Sequence, residues 1–443
     1  MESTELSTIS KTIFKKHSFQ IEANYILHVL CRVLGDNAIR LLNYRYKQCN
    51  IEYSTLSNLY LCTFKFDNKR WGSYEYHGEF IVKAEPSGRP MALQIYKQEK
   101  LFETEMFMYL IALEKIYRLT HIRFGPKLIY CSNNTKTLIM DSLNFHGYRM
   151  MDRRKALPKD YCNLVIRKLA IFHAASVAVC EKNPEWPTML HGGILANASD
   201  SFLRLCENSI YNISREIRTW GQEYSVTADK IEKFVGQIRT KGKQIFDYDF
   251  DEFCVINHGD LCTNNIMFYH GFREDLPCDV LFVDFQRSCY TSPVIDLIHF
   301  FNTSLEINFK YKREYHFLSQ YLNVLTYAMA AFRCNTRPPT LAEIEKAMKK
   351  RRLYIIIVGL VLYPRMVVRR KNRESLEHVL GTLNGDTELD VFKEPLAVES
   401  IRTFIKFMEL KGFISPPPPS PPPPPPQPQP VPVPSERQQQ QQQ

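Results

Sequence analysis

The stretch Cys254–Asn265 reads Cys-Val-Ile-Asn-His-Gly-Asp-Leu-Cys-Thr-Asn-Asn, and Val283-Asp284-Phe285-Gln286 follows beyond a turn punctuated by Gly271 and Pro277. Asn265 lies five residues after Asp260. One carboxylate within hydrogen-bond reach of an attacking hydroxyl can orient it and take its proton. A second carboxylate and an amide oxygen can hold a magnesium ion against a polyphosphate. Those are the parts that phosphoryl transfer needs. Any one of these residues alone is an ordinary turn residue; the ordered set is what points to chemistry. His258 reads as a packed, hydrogen-bonded scaffold residue and Asp296 as an anchor for the loop backbone.

The flanking pattern supplies the positioning elements. Asn264–Tyr269 and Val280–Asp284 are apolar strands, and a hairpin made of them brings Asp260, Asn265 and Asp284 to one end of a ribbon. Upstream, Ile21–Leu34 is helical in pattern, and Leu59–Phe66 and Phe80–Lys83 read as strands. Phe102, Met106, Tyr109, Leu110 and Leu113 predict one face of a long helix. Leu128–Tyr130 and Thr137–Met140 are short strands around the Asn133-Asn134 turn. Beyond Gly147-Tyr148 the pattern is mostly helical, with Val165, Leu169, Phe172 and Ser176 on one face and His173 as a core histidine. Further helices are expected around Ile210–Trp220, Thr227–Lys241, Tyr315–Phe332 and Leu341–Leu362.

The 443 residues are 44% hydrophobic and 12% aromatic, enough to bury a substantial core. The net charge of +10 is mild for this length, and the basic clusters Arg153–Lys155, Lys349–Arg352 and Arg369–Arg373 read as solvated helix faces. No interleaving of aromatic and basic residues accompanies them, so nucleic-acid binding is not expected. The twelve cysteines form no CxxC pair, which predicts a reduced, cytoplasmic protein without structural zinc. The apolar run Leu353–Leu362 is shorter than the about 20 residues a bilayer span needs, so no membrane association is expected. From Ser415 the chain is proline- and glutamine-rich, a composition that cannot pack a core. This tail is expected to be a solvated segment without a specific partner, with docking in the aromatic groove of an SH3-, WW- or EVH1-type domain as the alternative.

These motifs resemble the ecdysteroid kinase-like family, also called CHK kinase-like proteins, relatives of choline kinases and aminoglycoside phosphotransferases. The resemblance is carried by Phe80–Lys83, Glu105 in Glu-Met-Phe-Met-Tyr, Leu138–Leu143 with Gly147-Tyr148-Arg149, Leu169–Ser176, the His258–Asn265 loop and Ser292–Leu297. It implies an α+β, two-lobed protein-kinase-like fold: a small β-rich N-lobe with one long helix, and a larger, mainly helical C-lobe. The implied division is an N-terminal helical extension (1–40), the N-lobe (41–143), the C-lobe (144–414) and the tail (415–443). The resemblance further implies an ATP- and Mg²⁺-dependent kinase acting on a hydroxyl of a small lipophilic alcohol, such as an ecdysteroid or a xenobiotic. Asp260 is then the catalytic base, Asn265 and Asp284 the Mg²⁺ ligands, Lys83 the contact to the α- and β-phosphates, and Glu105 its ion-pair partner. Glu99 and Glu103 are nearby alternatives to Glu105. Met140 and Leu143 fall in the hinge that meets adenine.

Three departures accompany the resemblance. A phosphate-covering loop usually contains glycine, yet Cys49–Thr55 has none; Ser54 and Thr55 are its phosphate-binding candidates, and Glu52 opposes them. Cys262 stands where the family commonly has tryptophan, and Met140-Asp141-Ser142-Leu143 replaces a Leu-Glu-Asp-Leu type hinge. The glycine-free loop motivates the alternative of a pseudokinase or a ligand- or partner-binding module. A protein kinase is a weaker alternative, because His-Gly-Asp replaces His-Arg-Asp.

Overall fold

The computed structural model describes residues 21–49, 56–68, 70, 72, 74–272, 276–306, 314–368 and 391–414. Residues 50–55 of the glycine-free loop, with Ser54 and Thr55, the Arg369–Arg373 cluster and the proline-rich tail lie outside the described residues.

The first lobe is a five-stranded antiparallel sheet of order β1-β2-β3-β5-β4, made of β1 (Ile39–Gln48), β2 (Asn58–Asn68), β3 (Glu75–Ala84), β4 (Leu128–Ser132) and β5 (Thr137–Asp141). Helix α1 (Ala23–Leu34) covers one face, where Tyr25, Ile26, Val29 and Leu30 share a core with Tyr60, Cys62, Phe64, Phe80, Val82 and Ile139. The segment before residue 41 therefore contributes directly to the core of the sheet. Side chains alternate across a strand. With Phe80, Val82 and Ala84 turned to α1, Lys83 is turned to the opposite face.

On that opposite face lie α2 (Pro90–Gln98) and the long helix foreseen in the sequence. The latter runs as α3 (Leu101–Phe107), a π turn (Met108–Ala112) and α4 (Leu113–Thr120). The π turn inserts an extra residue into the helical register, and this corrects the expected apolar face. Phe102 and Tyr109 are buried, but Leu110 is 47% exposed; Glu105, Met108, Ala112 and Ile116 form the buried line instead.

The second lobe is built on α5 (Lys159–Cys180). By length and composition this helix could cross a membrane, but here Val165, Leu169, Phe172, His173 and Ser176 are all 0% exposed within the core. Around it pack α6 (Asp200–Arg218), α7 (Ser225–Glu232), α8 (Val235–Lys241), α9 (Val294–Thr303), α10 (Glu314–Ala331) and α11 (Leu341–Lys350). The expected Leu341–Leu362 helix continues as α12 (Arg352–Ile356), a second π turn (Ile357–Leu362) and α13 (Tyr363–Val367), and α14 (Pro395–Leu410) closes this side. The Phe404 ring of α14 lies so close to Gly359 that a Cβ there would be 2.2 Å from it. Two small sheets frame the front of this lobe. Strands β7 (Val255–Asn257) and β10 (Cys289–Thr291) pair, while β6 (Arg149–Met150), β8 (Ile266–Tyr269) and β9 (Asp279–Phe282) form the second. The hairpin expected around Gly271 and Pro277 is β8–β9, antiparallel with Ile266 opposite Phe282.

The basic run Lys349–Arg352 is not wholly a solvated face. Arg351 is 2% exposed, its Nε donating to the Ile245 carbonyl at 3.0 Å and its Nη2 to Glu252 Oε2 at 2.7 Å. A guanidinium can be buried this way because carbonyl and carboxylate acceptors replace its water.

The rotated helix face yields a stability test. Leu110→Gln is expected to change unfolding free energy by no more than about 0.5 kcal/mol. Ile116→Ala is expected to cost about 2–5 kcal/mol, because it empties a buried site. Urea denaturation of both variants measures the contrast.

Candidate active site

Strand β7 delivers the chain to His258, and Asp296 in the first turn of α9 receives it. The His258 and Gly259 amides donate to Asp296 Oδ2 at 2.7 Å and Oδ1 at 2.8 Å. His173 Nε2 lies 3.2 Å from Asp296 Oδ2, and Tyr321 Oη is 2.8 Å from His173 Nδ1. Burial pushes the Asp296 carboxyl up, but the His173 hydrogen bond and charge and the Gly259 amide outweigh it and hold Asp296 below its ordinary value. Burial also holds the His173 imidazole below its ordinary value, against the pull of Asp296. The anchoring expected of Asp296 is thus present in both backbone bonds.

His258 is the second brace. Its Nε2 donates to the Val283 carbonyl at 2.9 Å, while its Nδ1 accepts from the Asp260 amide at 3.3 Å. A ring that donates on one side and accepts on the other is neutral with the proton on Nε2. Gly259 has φ +85°, and a Cβ there would stand 1.9 Å from the Arg287 carbonyl. No larger residue fits, which accounts for His-Gly-Asp in place of a bulkier middle residue.

The hairpin closes the arrangement. The Val283 amide donates to the Asn265 carbonyl at 2.9 Å, extending the β8–β9 register by one pair, and Asn265 Nδ2 donates to the Asp260 carbonyl at 2.8 Å. That bond occupies the amide nitrogen and leaves the Asn265 side-chain oxygen for a ligand. Asp284 follows in a left-handed conformation, φ +71°. Its Oδ1 accepts from Lys83 Nζ at 2.6 Å and its Oδ2 from Gln286 Nε2 at 3.2 Å. Lys83 also meets Glu105 Oε2 at 2.5 Å. Glu103 and Glu99 are taken elsewhere, by Lys136 at 2.9 Å and by Arg287 at 3.0 Å, so Glu105 alone among the three meets Lys83.

Lys83 and Glu105 are 4% and 2% exposed. Burial disfavours the Lys83 ammonium, but the two carboxylates outweigh it and hold Lys83 above its ordinary value. Burial pushes Glu105 up, Lys83 pulls it back, and the Asp284 charge adds to the rise. Two carboxylates share one ammonium here, and burial together with the Asp284 charge favours a proton on Glu105, a setting in which a bound cation could supply the compensation instead.

Asp260 Oδ1 lies 3.1 Å from His299 Nε2, and His299 Nδ1 lies 2.9 Å from Tyr354 Oη. Burial pushes the Asp260 carboxyl up, but the His299 hydrogen bond and the nearby charges of His299 and Arg287 bring it below its ordinary value. Its side chain remains 27% exposed. Sequence reasoning singled out neither His299 nor Tyr354. One signal existed: His299 follows Asp296 by three residues, so the two share a helix face. Phe285, 0% exposed, packs on His258 at 4.7 Å and on Tyr109 at 5.6 Å between ring centres, wedging Asp284 toward Lys83.

Residues 54–333 match the model of the ecdysteroid kinase-like family. The chain belongs to the ecdysteroid kinase-like family. No curated protein matches it. Membership makes the chain kinase-like, a phosphotransferase in general terms, and enzymes of this kind generally use ATP and Mg²⁺. The two residues expected in the hinge separate: Met140, on β5, is 6% exposed in the main core, whereas Leu143 packs with Met267, Leu281, Tyr148 and Val283. That second cluster is a small buried apolar group that includes Val283, the residue before Asp284. Cys262, 5% exposed, stands beside Asp260, and burial and the Asp260 charge push its thiol well above the ordinary value.

The Glu99–Arg287 pair ties the α2 end to the segment after Asp284. Burial pushes the Glu99 carboxyl up to about 7, with Arg287 opposing, and Glu99 Oε1 is buried without a partner. The folded value exceeds the unfolded one, so the protonated form is favoured by folding. Its contribution to stability is full below pH 4.5 and is lost as pH rises through about 7. Glu99→Gln is expected to flatten the fall in Tm across that window, measured by calorimetry at its two ends.

Proposed function

We propose that this protein is an ATP- and Mg²⁺-dependent kinase that phosphorylates a hydroxyl of a lipophilic small molecule, an ecdysteroid-like or xenobiotic alcohol. The observation that carries the reading is the convergence of Lys83, Glu105, Asp260, Asn265 and Asp284, from both lobes, on one cleft. Family membership supports it.

The residues present suit the cofactors. Asn265 Oδ1 and the Asp284 carboxylate form a hard oxygen donor set of the kind Mg²⁺ takes. The two carboxylates that share Lys83 favour a cation, and Gln286 Oε1, buried without a partner beside Asp284, marks a place where a ligand or its water completes the bonding. When bound, Mg-ATP supplies the transferable phosphoryl group with its charge already partly neutralised. The chain's own residues do the rest. An ammonium has three donors; Glu105 and Asp284 engage two, and the third is available to a phosphate oxygen. The Leu143 cluster offers an apolar floor for a purine. Asp260 has one oxygen turned to His299 and uses the other to orient the acceptor hydroxyl and take its proton. His299, backed by Tyr354, fixes the rotation of that carboxylate. The mostly buried Cys262 beside it suits an acceptor with little polarity. All twelve cysteines are free, and we assign the activity to the reducing cytosol.

The test is turnover with a panel of steroid and plant-derived alcohols, followed by mass spectrometry. Wild type is expected to add a phosphate to at least one of them. Asp260→Asn is expected to keep the thermal shift produced by Mg-ATP while losing about 10²–10⁴ in kcat. A wild type with no Mg-ATP-dependent shift overturns the enzyme reading in favour of a pseudokinase.

A further inference from the structure

Among the described residues, one trio of histidine, cysteine and carboxylate ligands converges: Asp260, Cys262 and His299, whose ligand atoms lie within 4.8 Å of one another. Cys262 and His299 are 5% and 1% exposed, and the Asp260 side chain keeps 27% exposure, through which an ion can enter. Nothing in the phosphotransferase chemistry above requires a thiol at this place. We propose that this trio is a site for a thiophilic divalent cation, with Zn²⁺ as the type, and that its occupation inhibits the enzyme.

The donor chemistry separates this site from the neighbouring one. Mg²⁺ takes hard oxygens, which Asn265 and Asp284 offer; thiolate and imidazole select Zn²⁺ and its relatives. Three protein ligands with a fourth position left to solvent are a familiar zinc arrangement. The Asp260–His299 separation of 3.1 Å suits two ligands of one ion, and the Cys262 sulfur lies within 4.8 Å of both. The partner behind the ligand is in place, since Tyr354 Oη stands 2.9 Å from His299 Nδ1 and can accept its proton while Nε2 faces the metal. On binding, the Cys262 S–H bond breaks, a metal–sulfur bond forms, and the proton passes to solvent. Asp260, now a ligand, can no longer take a proton from an acceptor hydroxyl. The binding stands on the geometry alone; the inhibition rests on the kinase reading.

Cobalt separates the two. Reduced, metal-free full-length protein is titrated with Co²⁺, and the thiolate-to-cobalt absorption of wild type is compared with that of Cys262→Ser and His299→Gln. Wild type is expected to show one more tight equivalent than either variant, and Zn²⁺ is expected to displace it. Equal spectra and stoichiometry in wild type and Cys262→Ser overturn the site, whatever the activity. Each variant's melting curve, matched to wild type, shows that the fold is intact. In the activity assay, Zn²⁺ at fixed Mg-ATP is expected to inhibit wild type at a concentration roughly tenfold or more below that needed for Cys262→Ser. A cobalt site without this difference leaves the binding standing and overturns the inhibition.

Discussion

The ammonium of Lys83, held between Glu105 and Asp284, is the constraint on which the rest of the molecule depends. Burying one cation and two anions is costly unless each is closely paired. The pairing requires three independent parts of the chain to arrive together. Strand β3 must present Lys83 away from α1, helix α3 must present Glu105 inward, and the β8–β9 hairpin must carry Asp284 to the same point. A shift of one residue in β3 would turn Lys83 into the α1 core. The two carboxylates sharing one ammonium link the architecture to its chemistry, because a cation in the cleft compensates them.

The opposite side of the cleft follows a different logic. The His258–Asp260 backbone is held by the buried carboxylate of Asp296 and by His258 spanning to Val283, bonds that need no ligand to form. His173 and Tyr321 extend this brace into α5 and α10. Asp260 is thereby aimed by its backbone and rotated by His299. Under the proposed kinase function such preorganisation matters, because a proton acceptor misplaced by about 1 Å forfeits much of its effect.

Much of this was legible in the sequence, for identifiable reasons. The hairpin strands, the central helix and the His258–Asp284 constellation follow from local periodicity and local spacing. The pairing of Lys83 with Glu105 was implied by the family resemblance, since a lysine at the end of a strand is by itself an ordinary surface residue. The choice of Glu105 over Glu99 and Glu103 was not settled by pattern, since all three lie on one short stretch. His299 and Tyr354 were missed because each lies far in sequence from what it meets, His299 from Asp260 and Tyr354 from His299. Arg351 looked like part of a solvated basic run because nothing local announces Glu252 and the Ile245 carbonyl.

The most direct measurement is calorimetric titration of the protein with ATP, with and without Mg²⁺, in wild type and in Asp284→Ala. A cluster in which two carboxylates share one ammonium and present oxygen ligands should bind ATP tightly only with Mg²⁺. Removing Asp284 should abolish that Mg²⁺ dependence along with most of the affinity. ATP binding that is indifferent to Mg²⁺, or unchanged by Asp284→Ala, would contradict the account.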